Sequence, residues 1–156
     1  MKYDKSETGW ILIVLFTPIL IFITLLYINQ WGDRPITLIP YIIICALFVL
    51  VVSLFYKLTI KVNDKAIHLI YGIGIIKFSI YPDQISKIEI IRTPWYYGLG
   101  IRLTPKGRLY NIQSFKAIKL DYLVNHSHKR VMIGTPEPEV LKKILEENFP
   151  VVSRSG

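Results

Sequence analysis

The residues of this 156-residue chain that could do chemistry are few and scattered. His126-Ser127-His128 comes nearest to a ligand pair, because alternate residues of a strand face the same way. No third ligand lies near it in sequence: His68 is far off and no acidic cluster accompanies it, so the triplet reads as an exposed hairpin tip. A hydrolase needs a nucleophile beside a base, and neither a Ser-His-Asp order nor a Cys-His pair stands out. Cys45, the only cysteine, lies inside an apolar run, which excludes a disulfide framework or a thiolate metal site. Gly98 and Gly100 precede a strand pattern, whereas a phosphate cradle needs a helix after its glycines. The expectation is a non-enzymatic protein with no catalytic residue, no metal and no cofactor.

Two other groups of residues suggest binding. Lys106, Arg108, Lys116, Lys119, Lys129 and Arg130 could attract anionic lipid, each worth about 1 kcal/mol close to a charged leaflet. They could equally be the polar alternate positions of strands, where Lys also blunts exposed edges. Trp95, Tyr96 and Tyr97 sit in a loop beside glycines and read either as a contact with membrane or partner, or as cover for a small core. A net charge of +8 would draw nucleic acid at low salt, but no reading motif is present, so no nucleic-acid partner is expected.

The elements that position these residues begin with two apolar runs, Trp10–Ile28 and Ile36–Tyr56. No charge lies between Gly9 and Gly32 or between Pro35 and Tyr56. A helix rising about 1.5 Å per residue crosses a bilayer with about 20 residues, so each run can span. Asp33 and Arg34 separate the runs, which predicts a helical pair with a short turn. A cleaved signal peptide fits poorly, because the leading segment is neutral and no small-residue cleavage site follows. Only Lys2, Lys5 and Arg34 among the bases precede Lys57, and Asp4, Glu7 and Asp33 cancel them; the net charge therefore belongs to the segment from Lys57 onward.

Lys2 and Lys5 flank the first run and Lys57, Lys61 and Lys65 follow the second, whereas the turn carries only Arg34. That skew predicts a multi-pass protein of the inner (plasma) membrane with both termini cytoplasmic. The bilayer is thus the first expected partner. Trp10, Tyr56 and Lys57 would anchor the inner interface, and Trp31, with Tyr27, the outer one. Pro18 and Pro40 predict a bend in each helix.

After Lys57 the pattern alternates. Leu58, Ile60 and Val62; Ile67, Leu69 and Tyr71; Ile76, Phe78 and Ile80; and Ile88 with Ile90 read as successive strands. Leu99, Ile101 and Leu103, then Arg108–Ile112, then Ile118, Leu120 and Tyr122, then Val131 with Ile133 continue them. Short strands at this spacing predict a small antiparallel barrel or sandwich. Thr135 as cap, Pro136 at the first helical position and the stripe Val140, Leu141, Ile144 and Leu145 predict a final helix that plugs it. The implied division is a leading segment 1–9, a helical pair 10–56, a β domain 57–149 and a tail 150–156.

Tyr97-Gly98-Leu99-Gly100-Ile101-Arg102, Tyr110-Asn111-Ile112 and Ile133-Gly134-Thr135 with Pro138-Glu139 and Leu141, in strands followed by one C-terminal helix and placed after two membrane helices, resemble the bacterial pleckstrin-homology-like proteins. The resemblance implies a mainly antiparallel pleckstrin-homology-like barrel with a C-terminal helix. Its phosphoinositide site is not implied, because the first strand–strand loop, Asn63-Asp64-Lys65, is too short and has an acid in it. The function expected is protein–protein interaction at the cytoplasmic membrane surface, with a membrane or peripheral protein as partner. The alternatives are an anionic-lipid sensor or an accessory subunit of a membrane transport or defence complex.

Overall fold

Both apolar runs are single helices in the computed structural model, which describes residues 3–94, 100–105 and 107–151. They are α1 (Trp10–Asn29) and α2 (Leu38–Phe55), each long and apolar enough to cross a membrane. Among their described residues only Leu12 is buried, so these are not the core helices of a globular domain. The pair is held by Phe16 against Phe48, with ring centroids 5.0 Å apart, and by Tyr27 stacked on Tyr41 at 4.4 Å. The Thr17 and Thr24 hydroxyls donate to the carbonyls of Ile13 and Leu20 at 2.8 Å, which satisfies polar groups within the helix itself. Pro18 lies inside α1. Pro40 is only the third residue of α2, where the backbone N–H has no intrahelical acceptor to lose, so the second expected bend has no cause.

The leading segment is not a free arm. Tyr3–Thr8 is a strand, β1, paired antiparallel with β2 (Lys57–Val62) from Tyr3↔Val62 to Thr8↔Lys57. The helical pair therefore stands where the turn of a β-hairpin would be, and the Gly9 N–H donates to the Tyr56 carbonyl at 2.7 Å to close its base. The remaining strands are β3 (Ile67–Tyr71), β4 (Ile76–Ile80), β5 (Gln84–Arg92), β6 (Gly100–Thr104), β7 (Gly107–Asn111), β8 (Lys116–Val124) and β9 (Ser127–Gly134), and the last helix is α3 (Pro138–Asn148).

Of the expected barrel or sandwich, they form two sheets on a shared core, with no closed barrel among the described residues. One has the order β1-β2-β3-β4, the other β5-β8-β9-β7-β6. Every pairing is antiparallel except β7 with β9, which is parallel because β8 runs between them in sequence and takes the antiparallel place beside β9. Leu58, Ile60, Val62, Ile67, Leu69 and Tyr71 of the first sheet share one core with Ile85, Ile118, Leu120 and Ile133 of the second.

The final helix starts two residues later than expected, with Pro138 rather than Pro136 in its first turn and Glu137 at the cap position. Thr135 still helps, its hydroxyl accepting from the Glu137 N–H at 3.3 Å. Leu141 and Leu145 are fully buried, Ile144 packs against the core and Val140 is exposed. The helix thus covers the core with a narrower stripe than the sequence suggests. Beyond it, the chain is tied down at first: the Pro150 carbonyl accepts from Ile85 N–H at 3.1 Å, and Val151 bridges to Ile85.

Candidate functional site

Directly opposed residues of paired strands share a face, so the register tells which side chains look into the space between the sheets. In the second sheet, Arg108 lies opposite Val131, Tyr110 opposite Ile133, and Tyr122 opposite Lys129. Val131 and Ile133 are core residues. Arg108, Tyr110, Tyr122 and Lys129 therefore all face inward; Tyr110 and Tyr122 are buried, while Arg108 and Lys129 stay exposed beyond the point where the first sheet ends at β4. The result is an open cleft of about 470 Å³ between β4 and the strands β6, β7 and β9.

Phe78 against Tyr110, with ring centroids 5.0 Å apart, makes the cleft's apolar floor, and Tyr122 extends it. Leu103, 82% exposed, forms a lip on β6. Arg108 and Lys129 supply charge, and neither has a carboxylate partner among the described residues. Burial raises the Tyr122 hydroxyl above its ordinary pKa and Tyr110 adds to this, while Arg108 opposes it. Tyr122 thus stays protonated at neutral pH, able to donate a hydrogen bond. One wall is the outer edge of β4, with which no strand pairs among the described residues. This edge, unpaired among the described residues, lies beside two cations.

The six cations singled out in the sequence do not form one basic face. Arg108 and Lys129 meet in the cleft. Arg130, one position on, also borders the cleft, but its guanidinium pairs with Asp121 on the opposite face of its sheet, which raises its pKa. Lys119 shares that face and binds Glu89 at 2.6 Å; Lys87 binds the same carboxylate, and the two ammoniums hold it at about 2. Lys116 begins β8 and is exposed. Lys106 and the aromatic loop Trp95, Tyr96 and Tyr97 lie outside the described residues.

The two ends of the domain differ. Gly9, Tyr56 and Lys57 mark the end that joins the helices, and the β3–β4 turn and Ile112 lie there too: Gly72 N–H donates to Lys57 O at 2.7 Å, and Ile112 packs against Gly9. Trp10, exposed, starts α1 at this end, and the Lys57 ammonium lies 5.8 Å from the Tyr56 ring centre. Trp31 follows α1 at the far end of the helical pair. Running β7 and β9 away from Ile112 and Gly134 puts Arg108 and Lys129 at the other end of the sheets, about 15 Å off at ~3.3 Å per strand residue.

Three features were missed from sequence. Glu7 faces inward from β1, opposite Leu58, and both its carboxylate oxygens accept from the Ser114 hydroxyl at 2.8 Å. Asn111 shapes the loop that holds Ser114, its side-chain oxygen accepting from the N–H groups of Ile112 and Ser114 at 2.9 and 3.0 Å. His68 and Ser79 are opposed on β3 and β4 with Nδ1 and Oγ 2.7 Å apart. Lys61, not a carboxylate, is the residue on the other side of His68, so this is a cross-strand polar pair and not a nucleophile–base–acid relay. Comparison with protein-family models, with curated proteins and with solved structures finds no match.

Proposed function

We propose that this chain is a non-enzymatic membrane-anchored interaction module. Its helical pair crosses the inner membrane with both termini in the cytoplasm. Its pleckstrin-homology-like β domain receives an extended acidic segment of a membrane or peripheral protein, which adds a strand to β4. The observation that carries this reading is the cleft itself, with a strand edge on one wall and Arg108 and Lys129 on the other, neither the edge paired nor the cations matched by a carboxylate among the described residues.

The alternative, sensing of anionic headgroups by the same cations, has less support. Arg108 and Lys129 sit about 15 Å from the end that joins the helices, and the field of a charged leaflet decays over about 8–10 Å. A contribution of the helical pair to a larger membrane complex is the third reading, resting on its outward apolar surface.

The test is photo-cross-linking in the native membrane from Ser79, which lines the cleft, with identification of what is captured. Charge-assisted hydrogen bonds contribute about 1.5–3 kcal/mol each. Arg108→Glu with Lys129→Glu should therefore weaken capture by at least about tenfold. Capture that persists at moderate salt and is lost in the double variant supports strand addition. Capture unchanged by the double variant would overturn it, and adducts with lipid alone would favour headgroup sensing.

A further inference from the structure

Short turns between strands are ordinarily polar, because Asn, Asp, Gly and Pro supply their backbone geometry and water surrounds them. The turns at the end remote from the helices mostly obey this: Asn63-Asp64-Lys65, Tyr81-Pro82-Asp83, in which Tyr81 is 58% exposed, and Asn125-His126. The end that joins the helices does not. The β3–β4 turn there is Gly72-Ile73-Gly74-Ile75, and Ile73 and Ile75 are 62% and 69% exposed. Phe115, in the loop between β7 and β8, is 63% exposed, and its carbonyl accepts from the Thr93 N–H at 2.9 Å.

These side chains are not on a loose loop. Ile73 N–H donates to the Ser53 carbonyl at 3.1 Å, so the β3–β4 turn is fastened to the last turn of α2. Gly72 has φ +52°, and a Cβ there would overlap the carbonyl oxygens of Ser53 and Leu54, so only glycine permits so close an approach. Phe115 is held on the other side, since the neighbouring Ser114 binds Glu7 of β1. Lys57, Lys77, Arg92 and Lys116 stand in the portions of β2, β4, β5 and β8 nearest the helices. Exposed apolar side chains ringed by long cations match the layer of a bilayer where acyl chains give way to phosphates.

We infer that Ile73, Ile75 and Phe115 are inserted into the interfacial layer of the same bilayer that the helical pair crosses, making this end of the domain a lipid-contact surface. The inference rests on the membrane-anchored reading above. The bilayer is the occupant because α1 starts directly after Gly9, the one residue that follows β1, and Tyr56 alone separates the end of α2 from β2. Links that short bring the headgroups to the level of these three side chains. Such a footing fixes the tilt of the sheets and holds the cleft on the far side, turned toward the cytoplasm.

The full chain in vesicles of phosphatidylcholine and phosphatidylglycerol provides the test. In a Cys45→Ala background, an environment-sensitive fluorophore is attached at Ile73→Cys, Ile75→Cys or Phe115→Cys. Lys65→Cys serves as the remote control and Phe22→Cys, in the interior of α1, as the control for spanning. The expected result is blue-shifted emission at 73, 75 and 115, quenched by nitroxides carried on the lipid and shielded from aqueous iodide, with the reverse at 65. Iodide access at 73 and 115 equal to that at 65, while 22 is still quenched by lipid, would overturn the inference and leave the anchoring intact. Protection from iodide without quenching by lipid would overturn it in favour of a protein cover. Absence of lipid quenching at 22 would overturn the anchoring reading and this inference with it.

Discussion

Glu7 shows how one side chain can set a pH dependence. It lies on the inner face of the edge strand β1, and burial raises its pKa while the Ser114 hydroxyl lowers it by a smaller amount. A carboxyl raised in the folded state binds more protons there than in the unfolded chain. Stability therefore falls as pH rises from the ordinary carboxylate range through the raised value. Glu7→Gln removes that ionisation and keeps an acceptor for Ser114. The variant should melt above the parent at neutral pH, with the difference vanishing in acid. Thermal unfolding of the full chain across that range checks this, and a pH-independent difference would sink it. Arg108 and Lys129 belong to the same scale, since their worth to the cleft is that no carboxylate among the described residues neutralises them, in contrast with Lys119 and Arg130.

At the scale of elements, α3 and β1 carry opposite lessons. Leu141 and Leu145 sit fully buried at the core, so either one changed to Ala should cost about 2–5 kcal/mol, the usual range for a buried Leu. Val140→Ala, on the exposed side, should stay within about 0.5 kcal/mol. Denaturant unfolding separates the cases, and equal small losses at all three positions would deny α3 its covering role. β1 makes the domain discontinuous in sequence. A chain starting at Lys57 lacks that strand, leaves Leu58, Ile60 and Val62 at a raw edge and should aggregate. Deleting 9–56 and joining Thr8 to Lys57 through an Asn-Gly turn restores the strand pair with a connection that β-hairpins favour. That shortened protein should be soluble, with mainly β circular dichroism and one helix. Equal solubility of the two chains would show that β1 is dispensable.

For the whole molecule, the sequence by itself determined whatever depends on local order. The two runs without charge became helices, the two-residue alternation after Lys57 became strands, and the Leu141–Leu145 stripe became a covering helix. Each of these depends on which face is apolar, and neighbours in sequence decide that. β1 escaped because its inward positions Lys5 and Glu7 are charged, an assignment that makes sense only once Glu137 and Ser114 lie beside them. The aromatic loop Trp95–Tyr97 and Lys106 fall outside the described residues, and the exposed Ile73, Ile75 and Phe115 stand at the end of the domain where the sequence had singled out Trp10, Tyr56 and Lys57. Only the tertiary structure decided that β4 ends its sheet unpaired among the described residues and that Arg108 and Lys129 both line the cleft beside it. Their meeting depends on β7 lying parallel to β9, a pairing that no local pattern encodes because it follows from which strand β8 leaves room for.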